Sequence, residues 1–558
     1  MTIRETVNTV VFDLLEFYTD KCFKEGENAE YMDVRLFDEP EKFVKGAFFN
    51  DVAHLCVYYK KTGDKRFDEA VMRLHFACDL IKNDKVRTWG KSSLLHGMCT
   101  LRASGFLGLL SEDEVSAIEE KSRYDDFLDP ETVTLKGYPT NYYQVAMACA
   151  GMRELLGFEN GGYCDKIKEK LFSVMQGFSD DGWMDENPPY GRFDRYTFMI
   201  CAELSDTLYY INRKTPDFAL NNLKNAFRLA IACANERGDG VIYGRSLSVH
   251  GDCAFLEIIS TAMRLGIAEK EDIPVALAYS RAILRKTLDF WYDRDRRSFN
   301  LWLDGRTTNN YRQIHRLLEV NLDMCNHLLT TLANFEAAGY ADTELDSLSI
   351  PNAHPFGNPY IVNYVNENDK VRTLYSFVNN GRLIQLPLIS AGTMKQAAAY
   401  LPFPAAVGEL EAAPETQIPW LVPEYTTHEE GVKYLPAGFY DRIETANSEG
   451  KTVIRASGFL SELKNGGAPE KSRYRFNADY VFDNTGILMS FNSELKDARY
   501  RVIYARPYGA RCYVTSDTEP TISNISDDKE FFTPHGRCTL LKEWTGNGCA
   551  VNIKITGL

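Results

Sequence analysis

The stretch Pro351-Asn352-Ala353-His354-Pro355-Phe356-Gly357-Asn358-Pro359-Tyr360-Ile361-Val362-Asn363-Tyr364-Val365 separates two kinds of sequence. Seven of the 21 prolines precede it and fourteen lie within it or beyond it. Upstream, apolar residues recur three and four apart in segments of helical length. These are Val7 to Cys22, Phe43 to Thr62, Phe67 to Ile81, Ser92 to Leu110, Tyr142 to Leu156, Cys164 to Met175, Phe193 to Tyr210, Phe218 to Ala234, Cys253 to Leu265, Ile273 to Phe290 and Ile314 to Ala337. Eleven or twelve helices with short polar turns and no intervening strand patterns predict stacked helical hairpins, and without a strict 34- or 40-residue repeat an α/α toroid, closed or incomplete, is favoured over a solenoid.

Downstream the period falls to two, in runs at Tyr360 to Val365, Thr373 to Asn379, Leu383 to Leu388, Thr452 to Gly458, Tyr480 to Phe482, Ile487 to Asn492, Arg501 to Tyr504, Arg511 to Thr515 and Cys549 to Ile555. Turns such as Asn379-Asn380-Gly381 and Asn484-Thr485-Gly486 separate several of them. Alternation with Asn-Gly turns predicts an antiparallel β-sandwich. The expected fold class is therefore multidomain α+β, with an α/α toroid over residues 1–345 and a β-sandwich over 346–558. By analogy, that pairing of domains is met mainly in carbohydrate-active enzymes.

Composition narrows the function. With 44% apolar and 25% charged residues among 558, the chain reads as a globular protein. A formal net charge of -15 with no compensating basic block disfavours nucleic acid and anionic membrane surfaces. No run of about 18 uncharged apolar residues predicts a membrane span. Thirteen cysteines without a CxxC pair, and a start (Met1 to Thr6) with no basic stretch leading into an apolar one, give an expectation of a cytoplasmic setting. No dense His/Cys cluster calls for a metal, and no cofactor is expected. The expected partner is an oligosaccharide, and self-association is compatible with the sequence.

Four stretches concentrate chemistry. In Gly137 to Gln144 a turn runs into an apolar helix, and Asn141 either caps that helix or points its amide into a cleft. Asp180 to Tyr196 interleaves acids, arginines and aromatics: Trp183 offers a face for a sugar ring, and Asp185, Arg192 and Asp194 offer directional hydrogen bonds beside Tyr190 and Tyr196. The alternative is a solvated acidic loop anchored by Trp183. In Asp239 to Asp252, glycines permit tight turns that place Tyr243, Arg245 and His250 at one helix start. Thr307 to Arg316 supplies Asn309, Asn310, Tyr311, Arg312 and His315.

Tyr243-Gly244-Arg245-Ser246-Leu247-Ser248 resembles the Tyr/Phe-Gly-Arg-Ser-Leu-Thr signature of a bacterial family, domain of unknown function 2264. Asp181-Gly182-Trp183, Phe193-Asp194-Arg195-Tyr196 and Thr140-Asn141-Tyr142-Tyr143 are similar to further elements of that family. The likeness covers roughly residues 40 to 330. It departs at Val249-His250, where the family carries Tyr-Arg, and at Thr140-Asn141, where it carries Asn-Asn. The arrangement also resembles heparinase II/III-like and alginate-lyase-like polysaccharide lyases, which cleave uronic acids by β-elimination.

That resemblance implies a Tyr that removes the C5 proton and an amide or His that neutralises the carboxylate. A free tyrosine titrates at about 10, so a neighbouring cation must favour its phenolate. Tyr196 or Tyr190, Asn141, His250, and Arg192 or Arg245 are the residues available for these roles. Two alternatives share the toroid. One is glycoside hydrolysis by a carboxylate pair about 6.5 to 9.5 Å apart, drawn from Asp181, Asp185, Glu186, Asp194 and Asp252. The other is a non-catalytic glycan-binding protein.

Overall fold

A computed structural model describes residues 2–176, 182–183, 193–344, 348–351, 353–365, 371–389, 400–414, 419–427, 432–463 and 469–558. Among the described residues, twelve α-helices occupy the N-terminal part: α1 (Ile3–Glu25), α2 (Val44–Thr62), α3 (Phe67–Lys82), α4 (Thr88–Ala103), α5 (Glu112–Lys121), α6 (Tyr142–Leu156), α7 (Tyr163–Gln176), α8 (Arg195–Tyr210), α9 (Asp217–Ala232), α10 (Val249–Arg264), α11 (Ile273–Lys286) and α12 (Leu317–Ala338). The even-numbered helices pack in the order α2, α4, α6, α8, α10, α12, and α12 returns to α2, which closes the ring. The odd-numbered helices lie outside it: α7 packs on α6, α9 on α8 and α10, and α1 on α12 and α2. This is the α/α toroid.

Burial explains which helices the sequence declares. Inner helix α10 is buried from Val249 to Met263, including His250, Asp252 and Glu257. Helix α5, which the apolar periodicity does not reveal, buries only Glu114 and Ile118 and is started by a capping box between Ser111 and Glu114. The start of α10 also differs from the reading of the sequence. Its first turn begins at Val249, so His250 lies in that turn and not in a loop before Cys253.

The C-terminal part is an antiparallel β-sandwich. Tyr360–Val365, Val371–Asn379 and Arg382–Leu388 form a three-stranded sheet, joined at its second hairpin by Asn380 and Gly381, both at positive φ. The larger sheet runs from Tyr513–Ser516 through Ala550–Thr556, Gly486–Ser493, Glu470–Asp483, Lys451–Leu463, Lys433–Leu435 and Glu424–Thr427 to Ala498–Pro507 and Gly536–Asn547. It bends back on itself. Tyr425 OH donates to Cys549 O at 3.0 Å and Lys542 Nζ to Val514 O at 3.1 Å, across strands far apart in that order. The small sheet packs on it through the stacked rings of Phe377 and Phe482, 4.3 Å apart. No helix among the described residues is long and apolar enough to cross a membrane.

A buried ionic triad holds the third sequence stretch against the ring. Lys286 Nζ, at the end of α11, lies 2.8 Å from carboxylate oxygens of both Asp239 and Asp252. Asp252 also accepts from Gly240 N at 2.8 Å and Trp291 Nε1 at 2.7 Å. Burial would raise the Asp239 carboxyl, but Lys286 and Arg237 hold it below its ordinary value. A carboxyl depressed in the folded state stabilises the fold above its unfolded pKa, and that contribution disappears as pH falls through the depressed value. Removing Lys286 takes the shared cation from two buried carboxylates, leaving Asp239 only Arg237 at 3.3 Å and Asp252 only its two neutral donors. Lys286→Met is therefore expected to cost about 3–5 kcal/mol, measured by denaturant unfolding at neutral pH. A loss within the range of a surface substitution would contradict this role.

Candidate active site

Inside the ring, two adjoining hollows of about 280 and 250 Å³ share Trp89, Ser93, Gln144, Glu203, Asp323, Asn326 and His327, and so form one cleft. Its first part is also lined by Asn141, Arg195, Tyr196, Tyr311, Arg312, Arg316 and Glu319. Its second part adds His96, Asp206, Tyr210 and Glu257. Inner helices supply nearly all of these groups; Tyr311, Arg312 and Arg316 come from the short turns that lead into α12.

Tyr196 and Asn141 meet in this cleft although 55 residues separate them in the chain. Tyr196 stands in the first turn of α8, which Asp194 caps by accepting Tyr196 N at 3.1 Å. Asn141 precedes α6 with helical backbone angles, and its side chain makes no capping bond. The sequence left Asn141 between capping residue and cleft amide; its place in the lining corresponds to the second.

Arginines surround the Tyr196 phenol. Arg245 lies 4.6 Å and Arg195 5.2 Å from the ring centre. Burial would raise this phenol, but the charges of Arg312, Arg195 and Arg245, with the hydrogen bond to Ser246, hold it below its ordinary value. Burial and the Tyr196 charge push Tyr311 far up, so that phenol keeps its proton.

Ser246 Oγ links these groups, at 2.8 Å from Tyr196 OH, 2.5 Å from Tyr311 OH and 3.2 Å from Arg312 Nε. A guanidinium only donates, and a serine hydroxyl has one proton and two acceptor positions. Arg312 donates to one acceptor position; with Tyr311 donating to the other, rather than to Tyr196 OH 3.4 Å away, the Ser246 proton faces Tyr196, the arrangement in which this bond lowers the phenol. The loop holds this hydroxyl under strain: Ser246 and Ser248 have φ of 49° and 71°. Gly244, with φ of 87°, lies where a Cβ would come within 2.7 Å of Asp194 Cβ.

His250 is fully buried behind Arg312 and does not line the cleft. Its Nε2 lies 2.7 Å from Arg312 Nη1 and must accept. The proton then sits on Nδ1, which has no hydrogen-bond partner. Burial, and then Arg312, push His250 well below the ordinary imidazole value, so it is neutral and positions Arg312.

The remaining sequence candidates divide as follows. Arg245 pairs with Asp194 at 3.0 Å, and Asp194 is completely buried, also accepting from Tyr400 OH. Tyr243 is buried and donates to Phe193 O at 2.6 Å. Trp183 is buried against Phe193 and Phe198, with ring centres 5.0 and 6.1 Å away, and serves as an anchor outside the cleft lining. His315 is exposed and outside the lining. Tyr190, Asp185 and Arg192, with Asp181 and Glu186, lie outside the described residues. Asp252 is held in the Lys286 triad.

Several lining residues were not singled out from the sequence. Trp89, 37% exposed in the first turn of α4, is the tryptophan at the cleft. Acidic groups also line the cleft, several of them paired with arginines. His327 Nδ1 is 3.0 Å from Glu257 and its Nε2 3.5 Å from Asp323, and these carboxylates outweigh burial to hold it charged. Burial and the Glu257 charge push Glu203 up to about 7. Burial pushes Asp206 up to about 6 against Arg264, 2.9 Å away. Glu319 rises to about 7, again through burial, with Arg316 2.8 Å away. Asp323 stays well below its usual range despite burial, through the charges of His327 and Arg312. Among the described residues no group of three His, Cys, Asp or Glu is arranged to hold a metal ion.

No family model matches the chain, so the likeness to domain of unknown function 2264 stands on its motifs alone, and no curated protein matches it. Among solved structures the chain is similar to a possible member of the GH105 family from Salmonella enterica subsp. enterica serovar Paratyphi A, at 15% identity over 57% of this chain and 93% of that one, with a TM-score of 0.36. It is also similar to heparinase III, at 10% identity over 97% and 84%, TM-score 0.37. A heparan sulfate lyase mutant from Pedobacter heparinus gives 8% identity over 97% and 82%, TM-score 0.28. With scores this low, the functional reading rests on the site itself.

The direction of the Ser246 proton has a spectroscopic consequence. Ser246→Ala deletes the donor to Tyr196 and should move that phenol's titration upward. Tyrosinate absorbance, taken as the difference between Ser246→Ala and Ser246→Ala/Tyr196→Phe and compared with the wild-type difference, reads it directly. An unmoved titration contradicts the assignment.

Proposed function

We propose that the cleft is the active site of a carbohydrate-active enzyme that cleaves a uronic-acid-containing oligosaccharide by β-elimination, with Tyr196 as base and acid. The observation that carries this reading is a cleft-lining phenol held below its ordinary pKa by Arg312, Arg195 and Arg245, in one cavity with Asn141. Tyr196 phenolate takes the C5 proton, and the carbanion spreads its charge into the uronate carboxylate, which Asn141 neutralises by hydrogen bonding. The C4–O bond breaks as the C4–C5 double bond forms, and Tyr196 returns its proton to the departing oxygen. His250 enters through Arg312, which it positions.

A second reading is favoured by Glu203. A carboxyl raised to about 7, beside the ionised Asp323, has the division of states that hydrolysis by an acid and a base requires. The two readings have opposite pH signatures. A phenolate base loses activity as pH falls through the lowered Tyr196 pKa, whereas a Glu203 acid loses it as pH rises above about 7.

Tyr196→Phe keeps the ring and removes proton transfer, so turnover on a uronate oligosaccharide should fall by about 100-fold or more with unfolding unchanged. The wild-type product should carry the ultraviolet absorbance of an unsaturated uronate. Asn141→Ala should slow a uronate substrate more than a neutral sugar. A new reducing end without unsaturation, with Glu203→Gln inactive and Tyr196→Phe active, replaces elimination with hydrolysis.

A further inference from the structure

A third cavity, of about 450 Å³, opens where the toroid meets the β-sandwich and shares no lining residue with the cleft. From this hollow, beside Arg306, Tyr508, His535 and Arg537, we infer a second, non-catalytic binding site for an acidic saccharide unit. The inference is independent of the reaction assigned to the cleft.

Two arginines line this hollow with no carboxylate at ion-pair distance among the described residues. Arg306 Nη1 donates to Phe290 O at 3.1 Å and Asn300 O at 3.0 Å, and its guanidinium lies 4.0 Å from the Phe290 ring centre. No carboxylate among the described residues pairs with it, and burial holds its pKa below the ordinary arginine value. Arg537, exposed and 5.9 Å from the Tyr508 ring centre, likewise has no carboxylate partner among the described residues. His535, its side chain 9% exposed, pairs Nδ1 with Glu411 and keeps Nε2 buried, so that its ring forms part of the wall of the hollow. Its ring packs on Trp291, centres 5.0 Å apart, and so cannot swing away from the hollow without giving up that contact.

A half-buried guanidinium that feels Asp304 and Asp293 only from beyond ion-pair distance is incompletely compensated, and a ligand carboxylate supplies the missing partner through paired N–H donors. The exposed carboxylate of Asp527 in the lining is an acceptor for a ligand hydroxyl. Tyr508, 75% exposed beside Arg537, offers a flat apolar face to a sugar ring. A carboxylate, a hydroxyl and a ring together describe a uronic acid unit, and the volume is that of an ordinary small-ligand pocket. The acids of the lining do not cancel the two arginines: Asp304 already has Arg296 at 3.6 Å and Asn300 at 2.7 Å, and Glu411 has His535 and Thr533.

The full chain labelled with ¹³C-histidine, its nine imidazoles including one assigned to His535 by the His535→Gln variant, gives a local readout. Titration with glucuronic acid should shift the His535 signal saturably. Glucose should bind at least about tenfold more weakly, and Arg537→Ala should weaken glucuronic acid by about tenfold or more. Tyr508→Ala, on the surface and safe for folding, should weaken glucuronic acid but not inorganic phosphate. A His535 signal that glucuronic acid leaves in place overturns the site. Equal responses to glucuronic acid and phosphate, with Tyr508→Ala without effect, overturn the saccharide in favour of a plain anion site. Loss of cleft activity in Tyr196→Phe has no bearing on either result.

Discussion

The guanidinium of Arg312 is the charge around which the interior of the ring is arranged. It points inward from the turn before α12, where water is scarce, and a cation there persists only if the surrounding groups answer it. Asp323 answers with a carboxylate 3.0 Å away, His250 with an imidazole lone pair and Ser246 with a hydroxyl oxygen. Each answer fixes something further: the tautomer of His250, the direction of the Ser246 proton and the lowered pKa of Tyr196. The left-handed backbone at Ser246 and Ser248 is tolerated because this network over-determines it. Buried charge, strained loop and shifted phenol are thus one structure seen from three sides.

The β-sandwich contributes to the same arrangement from outside. Tyr400 reaches Asp194, the residue that caps α8 and pairs with Arg245. Gln385 Oε1 accepts from Ile242 N at 3.3 Å, and its Nε2 lies 3.7 Å from Cys233 Sγ. Thr307 N donates to Thr533 O at 3.1 Å, just ahead of the turn that carries Tyr311 and Arg312. These contacts fall on the loops at one end of the ring. The second domain therefore steadies the segments that hold the cleft's cationic side, and the two architectures are coupled through polar bonds as well as packing.

The fold was legible because each inner helix must present an apolar stripe to the core, and a stripe is a periodic signal. Helix α5 escaped because its burial is limited to two residues. The site was legible only where chemistry sits in loops. Asn141 and Tyr196 were found because they stand beside turns dense in polar and aromatic residues. Glu203, Asp206, Glu257, Asp323 and His327 lie within helices and read as single interruptions. Their signal was spacing: Glu203 with Asp206, and Asp323 with His327, fall three and four apart on one face of an otherwise apolar helix. A charged residue facing the core of a helical ring needs either a partner or a ligand, and that reasoning would have reached them. Trp183 misled for the converse reason, since an aromatic in a polar loop serves equally well as the anchor that ties the loop to the core.

The cleft joins two potentials of opposite sign. Arg195, Arg245 and Arg312 gather at Tyr196, while Glu203, Asp323 and the charged His327 stand where the two hollows join and Asp206 and Glu257 line only the second. In the proposed reading this division selects among substrates as well as catalysing. A single carboxylate placed at Tyr196 meets the arginines, but a second anionic group in the adjoining hollow meets carboxylates, and like charges at short range in a shielded cleft cost several kcal/mol. Neutral hydroxyls are welcome there, because raised carboxyls such as Glu203 both donate and accept hydrogen bonds. The geometry therefore fits a saccharide with its acidic unit at the cationic end and neutral units toward the acidic one. A densely charged polymer would meet repulsion in the same groove that holds its first uronate.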